Sequence, residues 1–465
     1  MMDAAAVAAS AALPWLAGAL GVLAIRRGDA DRGWLHAIGY GYLLGLLAAT
    51  LVLRAVSASG ARWSLPIVIV AMVALIGIAY ALARPLPSPI GAWKDAMART
   101  RALPKPMNAV FWGCVALIAV RFAGLALEVA WRPLQPWDAW SQWGTKSRVW
   151  FEFGTMLPFV SPGEWLAAGN PRAFIDMHSA YPGTVPLVQV YASLWLGRFD
   201  ESLMNVAWPL VALTLGAAFY AQARRAGVGI PKAMVFTYAL LSLPFLDIHV
   251  ALAGVADLFV ASAYGLAAMS LWQWTRTRQH SDLALAVLFA AACPALKLEG
   301  TFWALTLLPG LVVALHRRVG LGLVVLLAAS AFGYLLFGPD HVSVFGYALR
   351  TQFTNVSQPL AEHLFVMDNW HLLWYAAIAA IALSYRTLFA RDVAPMTVTM
   401  LGALAFVAVV FYYSSAAGGV ADESLVNRLP LHMTPALVFY VLMLLQFSPS
   451  RSASPYDEAA RSAPA

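Results

Sequence analysis

Residues 131–154 read WRPLQPWDAWSQWGTKSRVWFEFG, and the stretch runs on to Asp176-Met177-His178-Ser179-Ala180-Tyr181-Pro182. Dense in Trp, Pro and charge, it is the longest piece of the chain that does not read as membrane-spanning helix. On either side, apolar runs recur from Ala5 to Phe447, many near the ~20 residues that cross ~30 Å of hydrocarbon. The 465 residues are 61% hydrophobic and 11% charged, with a mean hydropathy of +0.71; a soluble domain carries about 25% charged residues. The expected fold class is an all-α polytopic membrane protein, with this stretch as a large outer loop containing short interfacial helices.

Spans are expected near 5–25, 34–53, 64–83, 107–127, 203–222, 232–250, 254–274, 281–296, 299–315, 319–337, 370–386, 395–414 and 430–447, about thirteen in all. The first run lacks a basic leader and is followed by Arg26 and Arg27, so it reads as a retained span. The net charge of +7 comes from Arg and Lys in short inter-helix loops. That pattern follows the positive-inside rule and argues against nucleic acid as a partner. Placing the basic loops after the first and third spans in the cytoplasm puts residues 131–181 outside; with 182–197 lying in the interface as an amphipathic helix, every later basic loop falls inside as well. The remaining outer segments are then 248–253, 297–300, 338–369 and 415–429. The organisation expected is N-terminal helices over 1–106, a module over 107–337 with its outer loop at 128–202, C-terminal helices and outer loops over 338–447, and a disordered cytoplasmic tail at 448–465. Cys114 and Cys293 lie inside apolar runs and read as small core residues.

The residues able to carry chemistry sit in the outer segments. Asp138 lies among Trp137, Trp140 and Trp143, a composition suited to the headgroup layer. It reads either as a solvated acid in an aromatic belt or as a carboxylate poised to act on something lipid-borne. Lys146 and Arg148 follow on one short helix, suited to phosphate or to headgroup contact. Asp257 stands at the outer start of a span, where an acid marks a site by default or serves as a helix cap; His249 is close by in sequence. Lys297 and Glu299 lie between two apolar runs and pair with each other or with a site. Arg428 is an outward arginine in a chain that keeps most arginines inside; it reads as a phosphate contact or a headgroup anchor. His178 and Tyr181 close the first loop. No P-loop, GxGxxG, HExxH or Cys/His cluster occurs.

The order of these pieces is more specific than any one of them. An Asp near the start of a large outer loop is followed by Tyr-Pro-x-x-x-Pro-Leu from Tyr181 and Leu-Gly-Arg-Phe-Asp-Glu from Leu196. Gly-Val-Ala-Asp-Leu follows from Gly254, Leu-Lys-Leu-Glu-Gly from Leu296, and Arg-Leu-Pro-Leu-x-x-x-Pro from Arg428. This order resembles the GT-C superfamily of polytopic glycosyltransferases that use polyprenyl-phosphate-linked sugars, and is most similar to its protein-mannosyl and aminoarabinose transferase-like branch. The resemblance covers 109–315 and 427–437. It implies Asp138 as catalytic base, with Asp257, Lys297 and Arg428 toward the donor phosphate. By their place in the chain, Lys146 and Arg148 are further candidates for that phosphate, and His178, Tyr181, His249 and Glu299 are candidates to support the site. Asp138 and Asp257 are the carboxylates that would hold a divalent metal if one is used. Asp138 is followed by Ala139, where many relatives have a second acid.

The expected partners are a polyprenyl-phosphate-sugar lipid donor, membrane lipids and an envelope acceptor, in a bacterial inner membrane with the active face outward. Two other classes fit the same composition. A transporter or flippase of lipid-linked material would place ionisable residues near mid-span and break its helices in paired halves. A non-catalytic assembly protein would make Asp138 and Asp257 independently replaceable.

Overall fold

A computed structural model describes residues 2–169, 173–344 and 347–447; the tail expected to be disordered, 448–465, lies outside them. The structure is nearly all-α. Among the described residues, eight helices are long and apolar enough to cross a membrane, or nine if one bent pair counts as a single span. The chain thus has the makings of a multi-pass membrane protein, while the count of thirteen is not matched by length and apolarity. Two compact units divide it, Met1–Leu305 and a second from Thr306 onward.

The first unit opens with three apolar helices, α1 (Met2–Ile25), α2 (Trp34–Ala58) and α3 (Leu65–Ala83). α1 and α2 meet backbone to backbone: Gly18 lies against Gly41, and Gly45 against Pro14, so a methyl group on Gly18 or Gly45 would strike main chain. Small residues at the contact are what lets helices associate where apolar side chains gain nothing by leaving lipid. The short, basic α4 (Pro89–Arg101) is capped by Ser88, whose hydroxyl accepts from the Gly91 N–H. Behind it runs the long α5 (Lys105–Trp131).

The loop follows. A π-helical turn over Ala139–Gly144 runs into α6 (Thr145–Phe153), which Gly154 stops in the left-handed region. β1 (Phe159–Val160) pairs in parallel with β2 (Phe174–Ile175), across α7 (Pro162–Ala168) and its Ser161–Glu164 capping box. α8 (Thr184–Leu196) departs from the half-exposed interfacial helix expected of 182–197. It is buried from Thr184 to Tyr191 and packs with Leu53 of α2, with Trp63 of the α2–α3 turn and with Met72 of α3. The reason is its polar content: Gln189 and Ser193 are its inner polar residues, both buried and both hydrogen-bonded, so no wet face is left over.

α9 (Ala207–Arg225) is followed by α10 (Ile230–Leu241) and α11 (Pro244–Ala251), which meet at a 58° bend. One continuous span was expected over 232–250. Pro244 lacks an N–H and pushes Leu243 out of the helical region, so the helix breaks there. In α12 (Asp257–Thr277) every residue from Asp257 to Trp274 is buried, which makes it the centre of the unit. α13 (His280–Leu296) returns beside it, and the boundary between the units falls within α14 (Gly300–Leu315).

The first unit has two chemically distinct ends. At one, Arg26 pairs with Asp282 at 3.1 Å and Asp31 at 2.6 Å, Arg225 pairs with Asp282 at 2.8 Å, and Thr277 donates to Asp282 at 3.1 Å. The other end, where α12 begins and α13 stops, lies ~30 Å away along the 21 residues of α12. That is the thickness of a bilayer's hydrocarbon core.

The second unit continues with α15 (Arg317–Phe337) and an antiparallel hairpin of β3 (His341–Val344) and β4 (Tyr347–Arg350), a small departure from all-α. Then come α16 (Ser357–Ala361), α17 (Leu373–Leu383), α18 (Ala394–Tyr413), α19 (Ala417–Ala421) and α20 (Arg428–Phe447). α20 is buried almost throughout.

Candidate functional site

The loop is fastened at both of its ends. Near its start, the segment around Leu134 and Ala139 lies against Gly254, which has φ +107. A Cβ there would stand 2.6 Å from the Leu134 side chain and 2.8 Å from the Ala139 methyl, so both the conformation and the contact require glycine. Deeper, the Ser147 hydroxyl donates to Gln189 Oε1, and Gln189 Nε2 donates to Asn205 Oδ1 at 2.9 Å, a buried chain that ties α6 to α8. At its close, the buried Lys146 ammonium meets Asp176 Oδ2 at 2.6 Å and donates to the carbonyls of His178 at 3.1 Å and Tyr181 at 3.4 Å. Asp176 Oδ1 accepts from the His178 N–H at 2.9 Å.

This fastening delivers Tyr181 to a charged cluster. Asp257 is 0% exposed and Lys297 5%. Lys297 Nζ lies 3.0 Å from Asp257 Oδ1 and 3.7 Å from Glu299 Oε1. Tyr181 donates its hydroxyl proton to the same Glu299 oxygen at 3.2 Å, and its ring stacks with Trp143 (centroids 5.3 Å apart, planes at 15°) and His178 (5.2 Å, 20°). Asp257 is the first residue of α12, with Ala256 at the N-cap, and its carboxylate pairs with Lys297. Lys297 reaches it because α13 ends at Leu296 and Lys297 is extended, at φ −156 and ψ 150. Charges this deep are retained when each has a partner in good geometry, as here. Four of the expected site residues, Asp257, Lys297, Glu299 and Tyr181, are thus gathered from three separate stretches of sequence, with His178 beside them.

The others stand elsewhere. Asp138 precedes the π-helical turn, half-buried, one residue from the contact on Gly254. Lys146, expected toward phosphate, is committed to the loop's own acceptors. Arg148, two residues on, faces the opposite way: it is exposed, lies over the Phe199 ring and reaches Glu201 at 4.0 Å. His249 is buried on α11 with Nδ1 3.1 Å from the Phe245 carbonyl of its own helix. Arg428 opens α20 in the second unit, next to Asn427, which accepts from Trp370 Nε1 at 2.9 Å and has Nδ2 2.7 Å from His363 Nδ1.

Sequence reading missed Asp176, the partner of Lys146, and Gln189, which holds the loop to α8. It also missed Arg121, which pairs with Asp247 and donates to the Ser242 carbonyl at 3.1 Å, at the break between α10 and α11. The signal for Arg121 was present: an arginine within a long apolar run is costly unless it has a partner.

Among the described residues, no three His, Cys, Asp or Glu side chains come together as a metal-holding group, and the Lys297 ammonium stands against Asp257 Oδ1. Compared with known proteins, the chain matches no family model, no curated protein and no solved structure.

Proposed function

We propose that this chain is an integral membrane glycosyltransferase of GT-C type, which moves a sugar from a polyprenyl-phosphate donor to an envelope glycan, lipid or protein. On this reading it sits in a bacterial inner membrane with about thirteen passes, counting the bent pair α10–α11, α12 and the shorter helices α13, α14 and α17 beside the eight long ones, and its loop faces outward. One observation carries the proposal: the aromatic loop docks through Tyr181 onto a buried cluster holding Lys297, one bilayer thickness from the arginine-rich end. An ammonium at that depth suits the phosphate of a lipid-linked donor, whose leaving group sits at headgroup level.

The chemistry asks little more. The acceptor oxygen attacks the anomeric carbon, the bond from that carbon to the phosphate oxygen breaks, and the electron pair leaves on the phosphate. Lys297 stabilises that developing charge, and Asp138 takes the acceptor's proton. Trp143, Tyr181 and His178 form an aromatic wall beside the cluster, a surface suited to a sugar ring.

The test uses detergent-purified wild type, Asp257→Asn and Lys297→Met, melted with polyprenyl phosphate or with a plain phospholipid. A ligand of the folded state raises the melting temperature. Selective stabilisation of wild type by polyprenyl phosphate, lost in Lys297→Met, is the expected result. No selective shift in wild type at any concentration overturns the proposal.

A second reading has one observation in its favour. The helix broken at Pro244, with Arg121 and Asp247 paired beside the break, is a feature of transporters. Flux of lipid-linked sugar across proteoliposomes that Asp247→Asn abolishes and Asp138→Asn spares would favour it.

A further inference from the structure

A groove of about 810 Å³ runs along the first unit at its arginine-rich end, far from the Lys297 cluster. Its volume lies within the about 300–1,000 Å³ typical of ligand sites. The walls come from α2, α5, α9 and α10 and are apolar: Ile38, Phe111, Val115, Leu213, Met234 and Leu241 among them. α4 closes one side, presenting Trp93 to the outside, as an interfacial tryptophan does. From Leu213 to Arg224 on α9 the groove covers ~16 Å at 1.5 Å per residue, about half of a ~30 Å hydrocarbon core. It is therefore one leaflet deep.

Its charges are confined to one end. Arg99, Arg224, Arg225 and Asp31 line it there. Asp31 and Arg225 are bonded to each other. Arg224 gives Nη1 to the Val228 carbonyl, and Arg99 makes no hydrogen bond or ion pair among the described residues. Two guanidinium groups, one on α4 and one on α9, thus face a slot whose apolar length matches a single leaflet.

We propose that this groove holds one anionic phospholipid, its phosphate between Arg99 and Arg224 and its chains along α9 and α10. The uncommitted cations set the headgroup: Arg225 is held by Asp31 and Asp282, which leaves Arg99 and Arg224, neither of them ion-paired among the described residues, to meet an anion. Guanidinium groups recognise phosphate by paired hydrogen bonds. The depth sets the rest, because free phosphate would leave the apolar wall unused. A lipid here would also bind α4 to the bundle, since α4 otherwise lies against it on one side of the opening.

The test is native mass spectrometry of the full chain released from nanodiscs that contain equal phosphatidylglycerol and phosphatidylcholine, together with melting curves at fixed ionic strength. The wild type should retain one phosphatidylglycerol per chain. Arg99→Gln/Arg224→Gln should weaken that retention by about tenfold or more, two charge-assisted bonds being removed. Ala217→Phe, which fills the groove from α9, should abolish it. Arg101→Gln, on the same helix but outside the groove, should leave it unchanged. Equal retention of phosphatidylcholine overturns the proposal. So does an Arg101→Gln loss matching that of the double variant, which would indicate diffuse attraction to the basic end. A melting shift with inorganic phosphate equal to that with the lipid would make this a phosphate site and overturn the lipid assignment.

Discussion

At the scale of single residues, Asp257 and Lys297 carry the proposal, and their burial makes function and stability separable. Removing one member of a buried ion pair typically costs about 3–5 kcal/mol, because the other charge is left uncompensated, whereas replacing both with apolar groups is often neutral. Lys297→Met should therefore lower the melting temperature strongly, since it takes the cation from the buried Asp257 carboxylate while Asp257→Asn leaves Lys297 with Glu299, and Asp257→Leu/Lys297→Met should recover most of the loss. If the pair serves transfer, the recovered double variant is inactive. A stable and fully active double variant would reduce the pair to a structural tie. A second residue, Asp31, gives a pH dependence at the opposite end. Burial pushes its carboxyl up, but the hydrogen bond from Arg225 and the charges of Arg26 and Arg225 outweigh it, so the folded value lies below the ordinary 3.8. The unfolded chain then holds this proton more tightly. The contribution to stability is full above 3.8 and fades as the pH falls through the folded value. Asp31→Asn should melt with a shallower fall than wild type between about pH 5 and pH 3, measured by thermal scans. An unchanged slope would mean that acid acts through other carboxylates.

At the scale of elements, Gly254 shows how a turn positions a site. It lies three residues ahead of Asp257, its φ of +107 is one that other residues rarely adopt, and the loop leans on its bare Cα. Gly254→Ala should cost at least about 1–3 kcal/mol from strain and overpacking. It should also raise proteolytic cleavage within 131–181 before global unfolding; cleavage identical to wild type would show that the loop does not depend on this contact. Legibility in the sequence followed the same physics. α3 and α5 were readable to within a few residues because lipid demands long, unbroken apolar runs. α8 departs from expectation because 182–197 is placed by its short length and by the charge of the later loops, and neither reports that Gln189 and Ser193 are buried and hydrogen-bonded within the bundle. The break at Pro244 was written in the proline, yet the apolar run continues through it. Asp257, Lys297 and Glu299 stood out as charges against an apolar background. Asp176 did not, because in a polar loop one more acid carries no signal, and only its packing against Lys146 distinguishes it.

At the scale of the whole molecule, the arrangement that matters is the separation of charge along the first unit. Asp282 gathers Arg26, Arg225 and Thr277 at one end, and Lys297 gathers Asp257 and Glu299 at the other, with the length of α12 between them. If that length spans a bilayer, loops at the two ends meet different solutions. Gly28, in the α1–α2 turn beside Arg26, is exposed with open space around it, and Glu164, on α7 of the loop, is also exposed. Cys114 and Cys293 are buried and give little background. With single cysteines at these positions, a membrane-impermeant maleimide applied to intact cells should modify Glu164→Cys and spare Gly28→Cys. After permeabilisation it should modify both. Labelling of Gly28→Cys alone from outside would invert the orientation and place the loop in the cytoplasm, where a polyprenyl-linked donor destined for the envelope would not meet it. Labelling of both from outside would mean that α12 does not cross the membrane at all. The Lys297 cluster would then lie in water-exposed protein, and its depth would no longer argue for a lipid phosphate.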